Sequence, residues 1–136
     1  MGDTSSTHFQ AFIKNSTGGV INLYSLYNGV ESPPVDSGNP PYVLECIPAN
    51  GKTSTVIQAS GGYHVDTSGY SSNPHHVTTK GKATYIMPTG HTIVIHWKVV
   101  WGQSPEVTMG GTYPRIPAPT KEETSTNHWH YTWELS

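Results

Sequence analysis

The strongest hydrophobic pattern in the chain is the alternation over residues 82–101, which predicts a β-hairpin. Pro88 and Gly90 supply its turn, because proline fixes φ and glycine readily takes a positive φ. His96 and Lys98 interrupt one side of the second strand. The other side is apolar and consists of Ile93, Ile95, Trp97, Val99 and Trp101. A strand with one apolar and one polar face is typical of an antiparallel sheet that packs on a core.

The same period-two alternation recurs in shorter segments along the rest of the chain. It predicts further strands at residues 8–14, 20–27, 42–47, 52–59 and 128–135. We expect the first two of these strands to pair as a hairpin through the turn at 15–19. Segments rich in proline or glycine separate the strands, at 31–41, 60–79 and 102–127. Within 60–79 the sequence allows either an irregular loop or a loop with a short strand at 63–65.

Together these elements predict an all-β fold, a single antiparallel β-sandwich with essentially no helix. A chain of 136 residues suits one domain. We expect a flexible N-terminus at 1–7 and the β-sandwich domain at 8–136. Fourteen aromatic residues supply ample apolar surface for a core, which argues against disorder.

The low charge of the chain narrows the function classes. Charged residues make up 12% of the sequence, and the formal net charge is −2. Arg115 is the only arginine and the six lysines are dispersed along the sequence, whereas nucleic-acid binding needs a clustered basic surface. We therefore expect no nucleic-acid partner.

A single cysteine and the N-terminal sequence bear on the cellular location. Cys46 cannot form an intrachain disulfide, and it fits either a reducing compartment or a small buried apolar side chain. No apolar signal-peptide segment follows Met1, so we expect synthesis in the cytoplasm, with later release to act outside the cell left open. Asn15-Ser16-Thr17 matches a glycosylation sequon, and without a secretory signal we interpret it as a turn.

The eight histidines suggest a metal site near the C-terminus. His128, His130 and Glu134 lie at i, i+2 and i+6, so a strand would place all three on one face. This spacing resembles part of the cupin metal motif, and His91 or His96 could supply a further ligand only in a permuted order. A cupin-like, metal-binding β-barrel is therefore one alternative. The competing interpretation is a solvent-facing side of the strand, opposite an aromatic core side.

Catalytic motifs are missing from the sequence. Its serine, histidine and aspartate residues occur in no nucleophile-elbow sequence. It also has no glycine-rich loop of the kind that binds phosphate. We therefore expect a non-enzymatic protein without a cofactor.

Tyrosine and histidine residues in the glycine-rich loops are the candidate ligand-binding residues. Glycine lets a backbone approach a ligand closely, and tyrosine presents an apolar ring with a polar tip. The candidates in 60–79 and 102–119 are Tyr63, His64, Tyr70, His75, His76 and Tyr113. If the two loops lie at the same end of the sandwich, these side chains converge there. The competing interpretation is that the loops only connect strands and that their tyrosines pack on the core.

Three parts of the sequence resemble the aegerolysin and actinoporin-like group of small β-sandwich proteins. They are F-I-K-N-S-T-G-G-V-I-N-L at 12–23, I-P-A-N-G-K-T-S-T-V-I-Q-A-S-G at 47–61, and G-K-A-T-Y at 81–85 followed by T-I-V-I-H-W at 92–97. The resemblance covers about half of the chain and implies a membrane-lipid-binding, cytolysin- or toxin-like recognition protein. The tryptophan- and cysteine-containing segment of aegerolysins and the N-terminal amphipathic helix of actinoporins are absent, so pore formation is not implied.

A carbohydrate-binding lectin is the alternative to a lipid-binding protein. Aromatic side chains stack on sugar rings and also suit lipid headgroups, so the sequence pattern fits both. The expected partner is therefore a membrane lipid or a glycan on a target surface. Homo-oligomerisation is left open by the sequence.

Overall fold

Alternation between buried and more exposed side chains runs along several of the long strands of this protein. A computed structural model describes residues 7–31, 41–61, 63–65, 74–76, 78–100 and 103–136. These residues form twelve strands and no helix. The strands are β1 (Thr7–Asn15), β2 (Ile21–Glu31), β3 (Tyr42–Val43), β4 (Cys46–Ile47), β5 (Thr53–Gly61), β6 (Tyr63–Val65), β7 (Pro74–His76), β8 (Thr78–Ile86), β9 (Thr92–Val99), β10 (Glu106–Gly110), β11 (Thr120–Ser125) and β12 (His128–Leu135).

Ten of the strands form two five-stranded sheets that pack face to face. Sheet A has the strand order β11-β12-β1-β5-β3, and sheet B has the order β10-β9-β8-β2-β4. Strands β6 and β7 form a separate two-stranded hairpin. The predicted all-β, single-domain β-sandwich is thus confirmed. Of the N-terminal residues 1–7 that were expected to be flexible, Thr7 belongs to β1 and is buried, and the others lie outside the described residues.

One strand pair departs from the expected antiparallel arrangement. Strand β1 lies between β5, which is antiparallel to it, and β12, which runs parallel to it. His8 is opposite His128 at one end of this parallel pair, and Asn15 is opposite Leu135 at the other. Parallel neighbours cannot be joined by a tight turn. Here the chain between them passes through sheet B, so the two strands meet only after the whole sandwich has been traced.

The predicted hairpin between β1 and β2 is wrong, because the two strands belong to different sheets. The turn between them carries the chain across the sandwich. Asn15 is fully buried at its start, and its Nδ2 donates hydrogen bonds to the carbonyl oxygens of Gly19 at 2.9 Å and Ile47 at 3.4 Å. Its Oδ1 accepts from the backbone nitrogen and the hydroxyl of Thr17 at 3.1 and 2.7 Å. The interpretation of Asn15-Ser16-Thr17 as a turn is confirmed.

Other differences from the predicted strands occur where the chain changes sheet. The strand expected at 42–47 is divided into β3 in sheet A and β4 in sheet B. The long connection expected at 102–127 contains β10 and β11, and β11 gave no pattern because all six of its residues are exposed. The strands expected at 52–59 and 128–135 are confirmed as β5 and β12. Residues 32–40 of the proline-rich segment, and Trp101 at the expected end of the central hairpin, lie outside the described residues.

The predicted central hairpin is confirmed as β8 and β9. Its register places Thr79 opposite Val99 at the end far from the turn. The turn closes through a hydrogen bond from the Met87 nitrogen to the His91 carbonyl oxygen at 2.8 Å. Gly90 has a φ of 87° in this turn, a value that glycine adopts far more readily than other residues.

The core between the sheets contains aromatic residues from both sheets. Tyr85, Trp97 and Trp133 are buried, whereas Trp129 is half-buried. They pack with apolar side chains from both sheets, which include Phe9, Ala11, Ile13, Ile21, Ile47, Val56, Ile57, Ile93, Ile95, Val99 and Leu135. Burial raises the pKa of the Tyr85 hydroxyl well above its usual value, and this hydroxyl donates a hydrogen bond to the Leu44 carbonyl oxygen at 2.7 Å.

The contact between Trp97 and Gly81 gives a test of this packing. The two residues are opposite each other in β9 and β8, and a Cβ added at Gly81 would lie 2.0 Å from Cζ2 of the buried Trp97 ring. We expect Gly81→Ala to lower the free energy of unfolding by about 1–3 kcal/mol, as overpacking does in other cores. Urea denaturation followed by tryptophan fluorescence measures the change.

Gly110→Ala is the matched control, because Gly110 lies in β10 of the same sheet and a Cβ added there has no atom within 4 Å. We expect it to change the free energy of unfolding by less than about 0.5 kcal/mol. If the two variants are equally stable, the Trp97 ring does not fill the space beside Gly81.

Candidate functional site

The ligand-binding residues expected from the sequence are not all at one end of the sandwich. Four of them lie in the β6–β7 hairpin, and they are Tyr63, His64, His75 and His76. This hairpin joins β5 to β8 at the end where Thr79 pairs with Val99. Tyr70 lies outside the described residues.

Tyr113 lies at the opposite end of the sandwich. Its backbone nitrogen donates a hydrogen bond to the carbonyl oxygen of Thr92 at 3.0 Å, and Thr92 is about 23 Å along β9 from Val99. The Tyr113 ring meets the His91 ring edge-on, with centroids 6.2 Å apart, and its hydroxyl donates to the carbonyl oxygen of Ser136. The side chain is half-buried against the core. The condition for convergence of the two loops is therefore not met, and Tyr113 packs on the core.

The alternative metal ligands share one face of β12 but are spread along it. His128 and Glu134 are six residues apart, which corresponds to about 20 Å along a strand. The His130 ring packs against the Phe12 ring, with centroids 5.0 Å apart. In the part of the chain that the structure describes, no group of three or more His, Cys, Asp or Glu residues is placed to hold a metal ion. The three residues therefore do not meet at one ion.

A cluster of lysines lies on the outer face of sheet B, near the end that carries the β6–β7 hairpin. Lys80 and Lys98 are directly opposite each other on β8 and β9, and Lys82 is opposite His96 in the neighbouring row. Glu106 on β10 is opposite Lys98 and adds one negative charge. Half of the six lysines of the chain therefore lie on one face. The dispersion expected from the sequence is wrong for these three residues.

An exposed tyrosine side chain on β2 adjoins this cluster. Tyr27 is opposite Lys82 and is 57% exposed, and Tyr24 on the same strand is 73% exposed. Leu26 is opposite the buried Ala83 and therefore lies on the other side of the strand. An open groove of about 680 Å³ extends across the surface, and its lining includes Tyr27, Lys80, Lys82, His96, Lys98 and Thr108. We call the surface formed by Tyr27, Lys80, Lys82, His96 and Lys98 the basic face.

The spacing of the lysines in the sequence contains a signal for the basic face. Lys80 and Lys82 are two residues apart, as are His96 and Lys98, so each pair lies on one side of its strand. Counting outward from the turn at 88–90 then places Lys80 opposite Lys98. Lys80 and Lys98 are distant in sequence, and only the register of the hairpin shows that they are neighbours.

Two histidines lie side by side on the outer face of sheet A. The rings of His8 and His128 stack with their centroids 4.7 Å apart and their planes 12° apart. Partial burial, followed by the neighbouring His128, lowers the pKa of His8 below its usual value. Their register partners, Ser60 on β5 and Ser125 on β11, carry no charge, and the nearest acidic residues on β11 are Glu123, opposite Trp129, and Glu122, opposite His130. The environment of the pair therefore favours a neutral His8.

Comparison of the chain with protein-family models, with curated proteins and with solved structures gives no significant match. The resemblance to the aegerolysin and actinoporin-like group stays a prediction from the sequence. Among the described residues, no helix is long and apolar enough to cross a membrane.

The lowered pKa of His8 predicts that acid destabilises the fold. The unfolded chain takes up the His8 proton more readily than the folded chain does, so stability is highest above the unfolded pKa of about 6.5 and falls as the pH drops below it. We expect the melting temperature to decrease between about pH 7.5 and pH 5. His8→Gln should reduce this decrease, because it removes the group that titrates.

A double-mutant cycle tests how much the stacked His8 and His128 contribute to the pH dependence of the melting temperature. His128→Gln removes the neighbouring charge, so it should raise the pKa of His8 and also weaken the pH dependence. Because the two residues are coupled, the double variant should add little to the effect of His8→Gln. Equal pH dependence in the wild type and in all three variants would contradict the coupling.

Proposed function

We propose that this protein is a non-enzymatic recognition protein that binds anionic lipids at a membrane surface through the basic face. The observation that carries the proposal is the direct pairing of Lys80 with Lys98, flanked by Lys82 opposite His96. A membrane-lipid ligand also agrees with the family that the sequence resembles.

The charge distribution favours an anionic ligand. Lys82 and Lys98 are both exposed on this face, so their positive charges are open to a negatively charged ligand. Glu106 supplies one negative charge in the row of Lys80 and Lys98. The chain as a whole has a net charge of −2, so a surface with three lysines differs from the average of the protein. Anionic headgroups at a membrane attract such a surface at about 1 kcal/mol for each lysine.

The exposed side chains on β2 favour a membrane surface over a small soluble anion. Tyrosine has an apolar ring and a polar hydroxyl, and it is enriched where membrane meets water. Tyr27 adjoins the lysines, and Tyr24, further along the same strand, is also exposed. Lysine side chains can also lay their apolar stems along such a surface while the ammonium groups contact headgroups. This combination suits a flat, charged lipid interface.

Vesicle co-sedimentation tests the proposal. We expect the protein to bind vesicles of phosphatidylcholine mixed with phosphatidylserine, and not vesicles of phosphatidylcholine alone. Removal of two lysines in Lys82→Gln/Lys98→Gln should weaken binding about 30-fold, which corresponds to about 2 kcal/mol. Increasing salt should weaken binding of the wild type, because exposed charges are screened.

Lys14→Gln/Lys52→Gln is the matched control, because it makes the same change in net charge at positions outside the basic face. Lys14 lies on β1 of sheet A, and Lys52 is exposed just before β5. We expect this variant to bind the mixed vesicles nearly as well as the wild type. An equal loss of binding in the two double variants would show that net charge alone attracts the protein. Failure of the wild type to bind the mixed vesicles would reject the proposed function.

A further inference from the structure

A second groove, of about 410 Å³, crosses the outer face of sheet A. A row of paired residues from all five strands consists, in spatial order, of Glu122, His130, Gln10, Gln58 and Tyr42, and the last four of these line the groove. A neighbouring row consists of Ser125, His128, His8 and Ser60. The two rows are about 7 Å apart along the strands, and residues within a row are about 5 Å apart. The distances between these polar groups are similar to the distances between hydroxyl groups of an oligosaccharide.

The groove is polar but uncharged. No lysine, arginine, aspartate or glutamate is among the described residues that line it, and Glu122 lies beyond its edge. The lining instead supplies amide, imidazole and hydroxyl groups, which both donate and accept hydrogen bonds. A sugar hydroxyl also donates and accepts, so the lining matches a neutral oligosaccharide. The basic face on sheet B differs, because it carries three lysines.

Two side chains in the middle of the groove have hydrogen-bonding groups available. The amides of Gln10 and Gln58 face each other across β1 and β5, and neither makes a hydrogen bond to any residue that the structure describes. Tyr42 follows Gln58 in the same row and is 47% exposed. Its ring therefore lies at one rim of the groove, where a sugar ring can stack against it.

The stacked histidines favour a neutral ligand over a metal ion. The rings of His8 and His128 are nearly parallel, so their nitrogen lone pairs point along parallel planes and do not converge on one ion. The lowered pKa of His8 also opposes positive charge in the groove. No lysine or arginine among the described residues lines the groove to attract an anionic ligand.

We infer that the groove on sheet A is a second binding site, which takes a neutral oligosaccharide. Gln10 and Gln58 hydrogen-bond its hydroxyl groups, and Tyr42 stacks on a sugar ring. The groove and the basic face are on opposite sides of the sandwich, so both can be occupied at the same time. This site does not depend on the proposed lipid-binding function.

A glycan array carrying neutral, sialylated and sulfated oligosaccharides, probed with the fluorescently labelled full-length chain, tests the inference. We expect binding to neutral oligosaccharides. Gln58→Ala and Tyr42→Ala should each weaken it about tenfold, because the first removes hydrogen bonds and the second removes the stacking surface. Gln103→Ala is the matched control, because Gln103 is exposed outside both surfaces, and it should bind like the wild type.

Measurements on the same variants separate this inference from the lipid-binding proposal. Gln58→Ala should bind mixed phosphatidylcholine and phosphatidylserine vesicles like the wild type, and Lys82→Gln/Lys98→Gln should bind neutral glycans like the wild type. The melting temperature of each variant shows that it is folded, and Gln58→Ala serves alone if Tyr42→Ala is unstable. Absence of binding to neutral glycans, binding only to charged glycans, or full binding by folded Gln58→Ala would each overturn the inference, whatever the vesicle assay shows.

Discussion

The parallel pairing of β1 with β12 is the constraint on which the rest of the structure depends. It joins residues from opposite ends of the chain, and it places β1 in the middle of sheet A with β5 on its other side. The inner residues of β1, Phe9 and Ile13, are consequently surrounded by core side chains from both sheets. Contacts so distant in sequence require closure of a long loop, which costs entropy. Sheet A is therefore complete only when nearly the whole chain is folded.

Two different surfaces result from one core. In every long strand one side is used by the core, so the other side is left to interact with solvent or a ligand. On sheet B the outer side concentrates lysines, of which Lys80 and Lys98 are directly paired. On sheet A it carries uncharged amide, imidazole and hydroxyl groups, with Gln10 and Gln58 at the centre. The two faces are held apart by the same packed core, so a change on one face need not disturb the other.

Turn chemistry alone does not distinguish a hairpin from a connection between sheets. The sequence around Asn15 has the glycines and small polar residues that either connection uses. In the folded chain the Asn15 side chain donates a hydrogen bond to the carbonyl oxygen of Ile47, which belongs to β4 of sheet B. Because Ile47 is distant in sequence, the local pattern around Asn15 predicted a hairpin. In the fold, the turn instead connects a strand of sheet A to a strand of sheet B. The division of the expected strand at 42–47 between the two sheets has the same origin.

The sequence by itself determined which side of β1, β9 and β12 is buried, because period-two alternation is a local property of the strand. It also determined the register of the central hairpin, since that register follows from the turn at 88–90. The tertiary structure alone decided which strands are neighbours within a sheet. That choice stacked His8 on His128, gathered the groove on sheet A and put Tyr113 at the end opposite the β6–β7 hairpin. Which strands become neighbours depends on the packing of the two sheets against one core. That packing involves residues that are distant in sequence, so no single segment determines it.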